Sequence, residues 1–326
     1  MGNRIRVPVV MAVDDNYCKY MAVAVASILD HRSGREVYSF HVLHRNITEA
    51  HQGMLRTLVQ RTGGSDDEVY FHEVTGLLDS SRLYLSGHVT EETYYRLLIL
   101  RLLPQYDKVL YLDCDLVVRS CLLPLYETEL SDNLIAGVVT VGNEKRRDYC
   151  RQVLGISEEH YINAGVLVLN LKALREFDLP ELAYQLLEEK KILQWHDKDI
   201  LNTVCYGRIL FLDPTWNTTV LRLLKEQGTG NAAELHFYHS VPDSDPAILH
   251  YASIKPWNSE LKEIDLPFWH YVDGNPFAGE ILEAYHGISD TRLHYSELSA
   301  DGKIPLSELL FNLRKGIASR FRNRSR

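Results

Sequence analysis

The chain has 326 residues, 45% apolar and 24% charged, enough to bury a full core as one large domain or two small ones. With 35 basic against 44 acidic residues the formal net charge is -9, which argues against nucleic acid as the main partner, because phosphate neutralisation needs clustered positive charge. Five scattered cysteines without metal-type spacing read as reduced thiols of a cytoplasmic protein, and no apolar run reaches the roughly 20 residues of a spanning helix or forms a signal-peptide core.

The β-branched run "RVPVVMAV" (residues 6–13) stops at "DDNY", and "YCKYMAVAVASILDH" then carries apolar residues at helical spacing, so the chain opens as strand, loop, helix. "VYSFHVL" (37–43) alternates like a strand, "NITEAHQGMLRTLVQ" reads as a capped amphipathic helix, and "EVYFHEV" as strand again. "TEETYYRLLILRLLP" (90–104) has a capping box and a terminal proline, which predicts a helix. The strand "KVLYL" follows at once, then "NLIAGVVTV" (133–141) and "INAGVLVLN" (162–170), the last running into the helix "LPELAYQLLEEKK". This alternation predicts an α/β fold with a largely parallel sheet wrapped by helices, and ligands at the carboxyl ends of its strands near a switch point. After about residue 213 the pattern loosens into aromatic, Gly- and Pro-rich sequence expected to form covering loops with short helices.

Polar clusters fall at those strand ends. In "LDCDLV", Asp113 and Asp115 flank Cys114, and two carboxylates on a tight loop repel each other unless a cation lies between them. Taken alone, this D-x-D pattern is equally a solvated strand end. "AVDDNY" offers Asp14 or Asn16 to hydrogen-bond a nucleotide base and Tyr17 to stack on it. "HYASIKPW" offers His250 as a metal ligand and Lys255 as a point charge for phosphate. "HDKDILN" places Asp197 and Asp199 at a helix start, suited to sugar hydroxyls or simply favoured there by the helix dipole.

In this order, "AVDDNY", "TYYRL", "VLYLDCDLVV", "YINAGVLVLNL", "HDKDILN" and "HYASIKPW" resemble the retaining glycosyltransferases of family 8, above all bacterial lipopolysaccharide α-galactosyl- and α-glucosyltransferases. The resemblance spans residues 7–258 and implies a GT-A fold: a mixed, mainly parallel Rossmann-like sheet flanked by helices, followed by a C-terminal helical tail. It implies a catalytic domain over 1–260, with a nucleotide-sugar half to about 120 and an acceptor half beyond, and an extension over 261–326. It further implies a UDP-sugar donor, Mn²⁺ or Mg²⁺, and a glycan or lipid-linked oligosaccharide acceptor. Carried over by position, it makes Asp113, Asp115 and His250 the metal ligands, with Cys114 between them in the donor site. Asp14, Asn16 and Tyr17 would hold uracil with Ala12 lining the pocket, Lys255 would meet phosphate, and Arg96, Asn163, Ala164 and Asp197 would surround the donor sugar.

Three departures stand out. Lys198 occupies the position where similar enzymes usually carry a Gln near the anomeric carbon, and an ammonium is no nucleophile there. This favours front-face attack of the acceptor hydroxyl assisted by the leaving phosphate, or a Lys198 turned toward an acid such as Asp197. Ser253 replaces a usual Gly before Lys255, and Thr140 stands where relatives often place an acceptor-side Asp. Two rivals remain. A phosphatase of the haloacid dehalogenase type also carries D-x-D-x-V, but on its first strand, and a non-catalytic or hydrolytic nucleotide-sugar-binding member of the same fold would tolerate Lys198. The tail "LSELLFNLRKGIASRFRNRSR" sets Leu, Ile and Phe against Arg and Lys at helical spacing, which suggests a peripheral contact with an anionic inner membrane face.

Overall fold

The computed structural model describes residues 4–83, 91–140, 142–189, 193–220, 245–252, 254–258 and 263–285. β1 (Ile5–Ala12), α1 (Cys18–Asp30), β2 (Glu36–His44), α2 (Glu49–Thr62) and β3 (Glu68–Glu73) follow the expected alternation. α1 is apolar nearly all round and buried from Tyr20 to Leu29, as a helix pressed between a sheet and other elements must be. α2 is half-exposed, buries only Leu55, Leu58 and Val59, and starts where the Thr48 side chain accepts from His51 N.

The segment expected as a single helix over 90–104 is instead a 3₁₀ helix, Glu91–Leu98, passing into one α turn, α3 (Ile99–Leu102). A three-residue repeat stacks Tyr94 on Leu97 and Tyr95 on Leu98, all four buried, and sets Arg96 between them. Residue 90, the cap of the expected box, lies outside the described residues.

β4 (Lys108–Leu112), β5 (Leu116–Val118), α4 (Leu123–Tyr126), β6 (Ile135–Val139), α5 (Glu144–Tyr149) and β7 (Ile162–Asn170) come next. A short helix absent from the sequence reading, α6 (Leu171–Phe177), separates β7 from α7 (Leu179–Glu189); α8 (His196–Val204) and β8 (Ile209–Phe211) complete the main layers.

The main sheet has the order β3-β2-β1-β4-β7-β6-β8. β1 runs parallel to β2 and β4, whereas β7 is antiparallel to both β4 and β6. The order therefore reverses between β1 and β4, and the carboxyl ends of these two strands open the crevice where doubly wound sheets bind ligands. One core, from Val7, Val9 and Met11 through α1 to Trp257, Phe268 and Phe277, packs one face of the sheet. A second, from Val10 and Tyr111 through Tyr161 to Ile200, packs the other. Strands covered on both faces must be apolar throughout, which is why β4 and β7 read as unbroken runs; full burial of each Val or Leu contributes about 1.5–3 kcal/mol.

A second sheet, of order β5-β10-β9, is built from β5, β9 (Thr218–Thr219) and β10 (Ile248–His250). β10 pairs antiparallel with β5, setting His250 opposite Leu116, and parallel with β9, setting His250 beside Thr219. Residues 221–244, most of the stretch expected as covering loops, and the basic tail over 286–326 lie outside the described residues.

Candidate active site

β4 is buried to Leu112 and then yields to a loop in which the Asp113 N–H donates to Gly165 O at 2.8 Å and the Cys114 thiol to Ala12 O at 3.4 Å. These contacts tie the D-x-D loop to β7 on one side and to the end of β1 on the other. Across the small sheet, the Tyr251 N–H donates to Asp115 O at 2.8 Å, which draws β10 alongside. Ligand atoms of Asp113, Asp115 and His250 consequently all lie within 4.8 Å of one another. His250 Nε2 is 3.2 Å from Asp115 Oδ1 and 3.7 Å from Asp113 Oδ2.

Glycine at 165 permits that approach, since a Cβ there would lie 2.3 Å from His250 Cε1 and 2.6 Å from Asp113 Oδ2. Two carboxylates and an imidazole nitrogen around a cradle without side-chain carbon fit a divalent cation of the Mn²⁺ or Mg²⁺ kind. Burial alone would push the Asp115 carboxyl up, but His250 and Lys255 outweigh it and hold it well below the usual carboxylate range. Lys255 Nζ pairs directly with Asp115 Oδ2.

A second charged layer lies on the β7 side. The Arg96 guanidinium is buried, donates to Ala164 O at 2.8 Å and to the Tyr111 hydroxyl at 3.1 Å, and pairs with Asp197 Oδ2 at 2.9 Å and Asp113 Oδ1 at 3.6 Å. Burial pushes the Asp197 carboxyl up against the pull of Arg96 and Lys198. Arg96 moves the other way, its neighbours Asp197, Tyr111 and Asp113 outweighing burial to keep it firmly cationic. The contact at 2.9 Å with a permanent cation decides between these opposing tendencies: Asp197 is an anion at neutral pH.

At the end of β1, Asp14 Oδ1 accepts from Tyr17 N at 2.7 Å, which closes the turn into α1, and Asn16 is exposed. The Tyr17 ring meets Tyr20 and Trp257 edge-on, at 5.1 and 5.7 Å between centroids. Asp15, its neighbour, faces elsewhere and accepts from Thr48 N and His51 Nδ1 at the start of α2.

All the residues expected around a donor, Ala12, Asp14, Asn16, Tyr17, Arg96, Asp113, Cys114, Asp115, Asn163, Ala164, Asp197, His250 and Lys255, fall at the β1, β4 and β7 ends or on the segments packed against them. Asp199 is a correction. Suited by sequence to sugar hydroxyls, it is fully buried and accepts from the Tyr149 and Tyr161 hydroxyls at 2.7 Å each and from Trp195 N at 2.9 Å, so it anchors the start of α8. Lys198 is half-buried; among the described residues its ammonium forms no ion pair, Asp197 being taken by Arg96. Asn217 and Tyr111 escaped the sequence reading. Tyr111 reads as one more apolar strand position, and Asn217 sits in the aperiodic stretch after residue 213 with only the neighbouring Trp to mark it.

Comparison with known proteins accords with this geometry. The profile of Glycosyl transferase family 8 matches residues 8–260. General stress protein A of Bacillus subtilis (strain 168) is 24% identical over 288 residues, covering 82% of this chain and 96% of its own. A lipopolysaccharide 1,2-glucosyltransferase of Escherichia coli is 26% identical over 254 residues, 76% of this chain and 71% of its own. Among solved structures, the galactosyltransferase LgtC in complex with donor and acceptor sugar analogues superposes with a TM-score of 0.67 at 27% identity, over 87% of this chain and 98% of LgtC.

Proposed function

This chain belongs to glycosyl transferase family 8 and has its GT-A architecture, and from that premise we propose that it transfers a hexose, glucose or galactose, from a UDP-sugar to a glycan hydroxyl with retention, giving an α-linkage. The observation that carries the reading is the convergence of Asp113, Asp115 and His250 within 4.8 Å at the rim of the sheet, beside Lys255 and the Arg96–Asp197 pair.

Asp113, Asp115 and His250 would hold Mn²⁺ or Mg²⁺, which when bound supplies positive charge against the diphosphate of the departing UDP. Ala12, Asp14, Asn16 and Tyr17 form the uracil pocket. Lys255, paired with Asp115 in the free protein, turns its ammonium to phosphate. Arg96, Asn163, Ala164 and Asp197 orient the sugar, Asp197 accepting from its hydroxyls while Arg96 keeps that carboxylate ionised. No carboxylate or amide stands at position 198 to attack the anomeric carbon, so retention follows from attack on the same face as the departing phosphate, which takes up the acceptor's proton. The acceptor is a glycan or lipid-linked oligosaccharide, met at the cytoplasmic face of the membrane. No helix among the described residues is long and apolar enough to cross one.

Lys198 favours one rival, a non-catalytic or hydrolytic UDP-sugar-binding member, because an ammonium near the anomeric carbon opposes an oxocarbenium-like centre. Release of UDP from UDP-glucose and UDP-galactose with Mn²⁺, with and without glycan acceptors, separates the readings. A transferase hydrolyses one donor slowly alone and faster with acceptor; a binder leaves both intact; a hydrolase is indifferent to acceptor. Lys198→Ala is expected to retain turnover, and an inactive variant with normal UDP-sugar binding gives Lys198 a direct part in the chemistry.

A further inference from the structure

His250 is 1% exposed, and each of its ring nitrogens has a polar neighbour: Nε2 faces the two carboxylates, and Nδ1 is 2.8 Å from Asn217 Oδ1. Asn217 is 3% exposed, and its Nδ2 donates to Asn163 Oδ1 at 3.1 Å. Asn163 is 6% exposed, and the same Oδ1 accepts from the backbone N–H of Gly165 at 2.8 Å.

This chain of contacts can be assigned from one end, because a backbone N–H can only donate. The Asn163 atom facing Gly165 is therefore oxygen. An oxygen there requires Asn217 to present its NH₂, which turns the Asn217 oxygen toward His250. That oxygen in turn requires a proton on His250 Nδ1, so in the neutral ring the lone pair is on Nε2, the nitrogen aimed at Asp113 and Asp115. The opposite tautomer would set two lone pairs against each other at 2.8 Å in a buried site.

We infer that Asn217 is the positioning residue of this site: its buried amide, oriented from the Gly165 backbone through Asn163, holds His250 in the tautomer that can ligate a cation. The same amide decides what Asn163 can read. With Oδ1 engaged twice, Asn163 has only Nδ2–H to turn toward a ligand, so it recognises an oxygen acceptor on the donor, never a donating group. One side chain thus ties the cation's imidazole to the residue proposed to contact the sugar. The inference rests on the reading that Asp113, Asp115 and His250 hold the cation.

The test uses the full chain, with ¹⁵N NMR of the histidine rings and calorimetric titration of Mn²⁺ alone. The tautomer is read with diamagnetic Mg²⁺ bound, since in the metal-free protein the Asp115 carboxylate 3.2 Å from Nε2 favours a proton on that nitrogen as well. With Mg²⁺, His250 is expected as the Nδ1–H tautomer, and an Nε2–H ring overturns the inference. Asn217→Ala is expected to mix the tautomers and weaken Mn²⁺ binding by about 10- to 100-fold, the usual cost of removing an outer-shell partner. Asn217→Asp keeps an acceptor for Nδ1 but loses the donor to Asn163 Oδ1, so it is expected to restore the Nδ1–H tautomer and only part of the affinity. If the aspartate variant mixes the tautomers as the alanine variant does, the role is only structural and the inference falls. It falls equally if His250→Ala weakens Mn²⁺ binding while Asn217→Ala leaves it unchanged. If His250→Ala leaves Mn²⁺ binding unchanged but the ring is Nδ1–H in the wild type and mixed in Asn217→Ala, the tautomer assignment stands and the metal reading is what fails.

Discussion

Two segments of this chain place an acid on either side of a single residue, Asp113–Cys114–Asp115 after β4 and Asp197–Lys198–Asp199 at the start of α8, and the fold uses them in opposite ways. In the first, the backbone is an irregular loop, and both carboxylates turn to one point that His250 completes. In the second, the backbone is helical, and residues two apart point about 200° away from each other around the axis. Asp197 faces Arg96 and the crevice, whereas Asp199 faces inward to Tyr149 and Tyr161. Spacing of acids in a sequence therefore carries chemical meaning only with a backbone conformation: the same pattern makes a convergent pair on a loop and a site residue plus a structural anchor on a helix.

Substitutions can break or sharpen this contrast. The largest effect is expected from Asp115→Asn, which removes the charge between His250 and Lys255. Divalent-dependent UDP release should fall about 10³-fold, on the order of 4 kcal/mol in the barrier, with urea unfolding much less affected. Asp199→Ala should do the reverse. It strips two tyrosine hydroxyls and the Trp195 N–H of their acceptor and should cost about 3 kcal/mol in urea unfolding. Turnover per folded molecule should change far less than in Asp115→Asn. Should Asp199→Ala unfold normally yet lose turnover as Asp115→Asn does, the division of roles collapses.

Gly165→Ala sharpens the loop side, because its methyl must displace His250 or Asp113. About 2 kcal/mol of stability should be lost to overpacking, and calorimetry should show Mn²⁺ binding weakened along with it. The smallest effect is expected on the helix side, where Tyr161→Phe removes one of Asp199's three donors and should lower stability by about 1.5 kcal/mol in the same urea experiment, leaving Mn²⁺ affinity as in the wild type.

Much of this was legible in the residues. β7 runs over the same nine residues that its apolar run marks out, because a strand buried on both faces is apolar nearly throughout and ends where polar residues begin, and β1, β2 and β3 lie within two residues of the ends that their β-branched or alternating patterns mark. The clusters at residues 14–17, 113–115 and 250–255 were visible for the complementary reason, that charge at the end of a buried strand is costly unless something uses it. The 3₁₀ turn was not legible, since "TEETYYRLL" satisfies a helix cap equally well, and the choice of a three-residue repeat follows from seating Tyr94 and Tyr95 together. Strands of two or three residues, β5, β9 and β10, are too short to show any period, and they form only because they pair with one another.

The sequence by itself determined the alternation of strands and helices, the polar strand ends as the place for chemistry, and the family, because these depend on local periodicity and on an ordered set of short motifs. Only the tertiary structure decided which acids converge, that Arg96 is the partner of Asp197, that Gly165 must lack a side chain, and that Asn217 stands behind His250. Each of those facts joins residues dozens of positions apart, and a hydrogen bond or a carbon contact is made or missed within a fraction of an ångström that no spacing along the chain encodes.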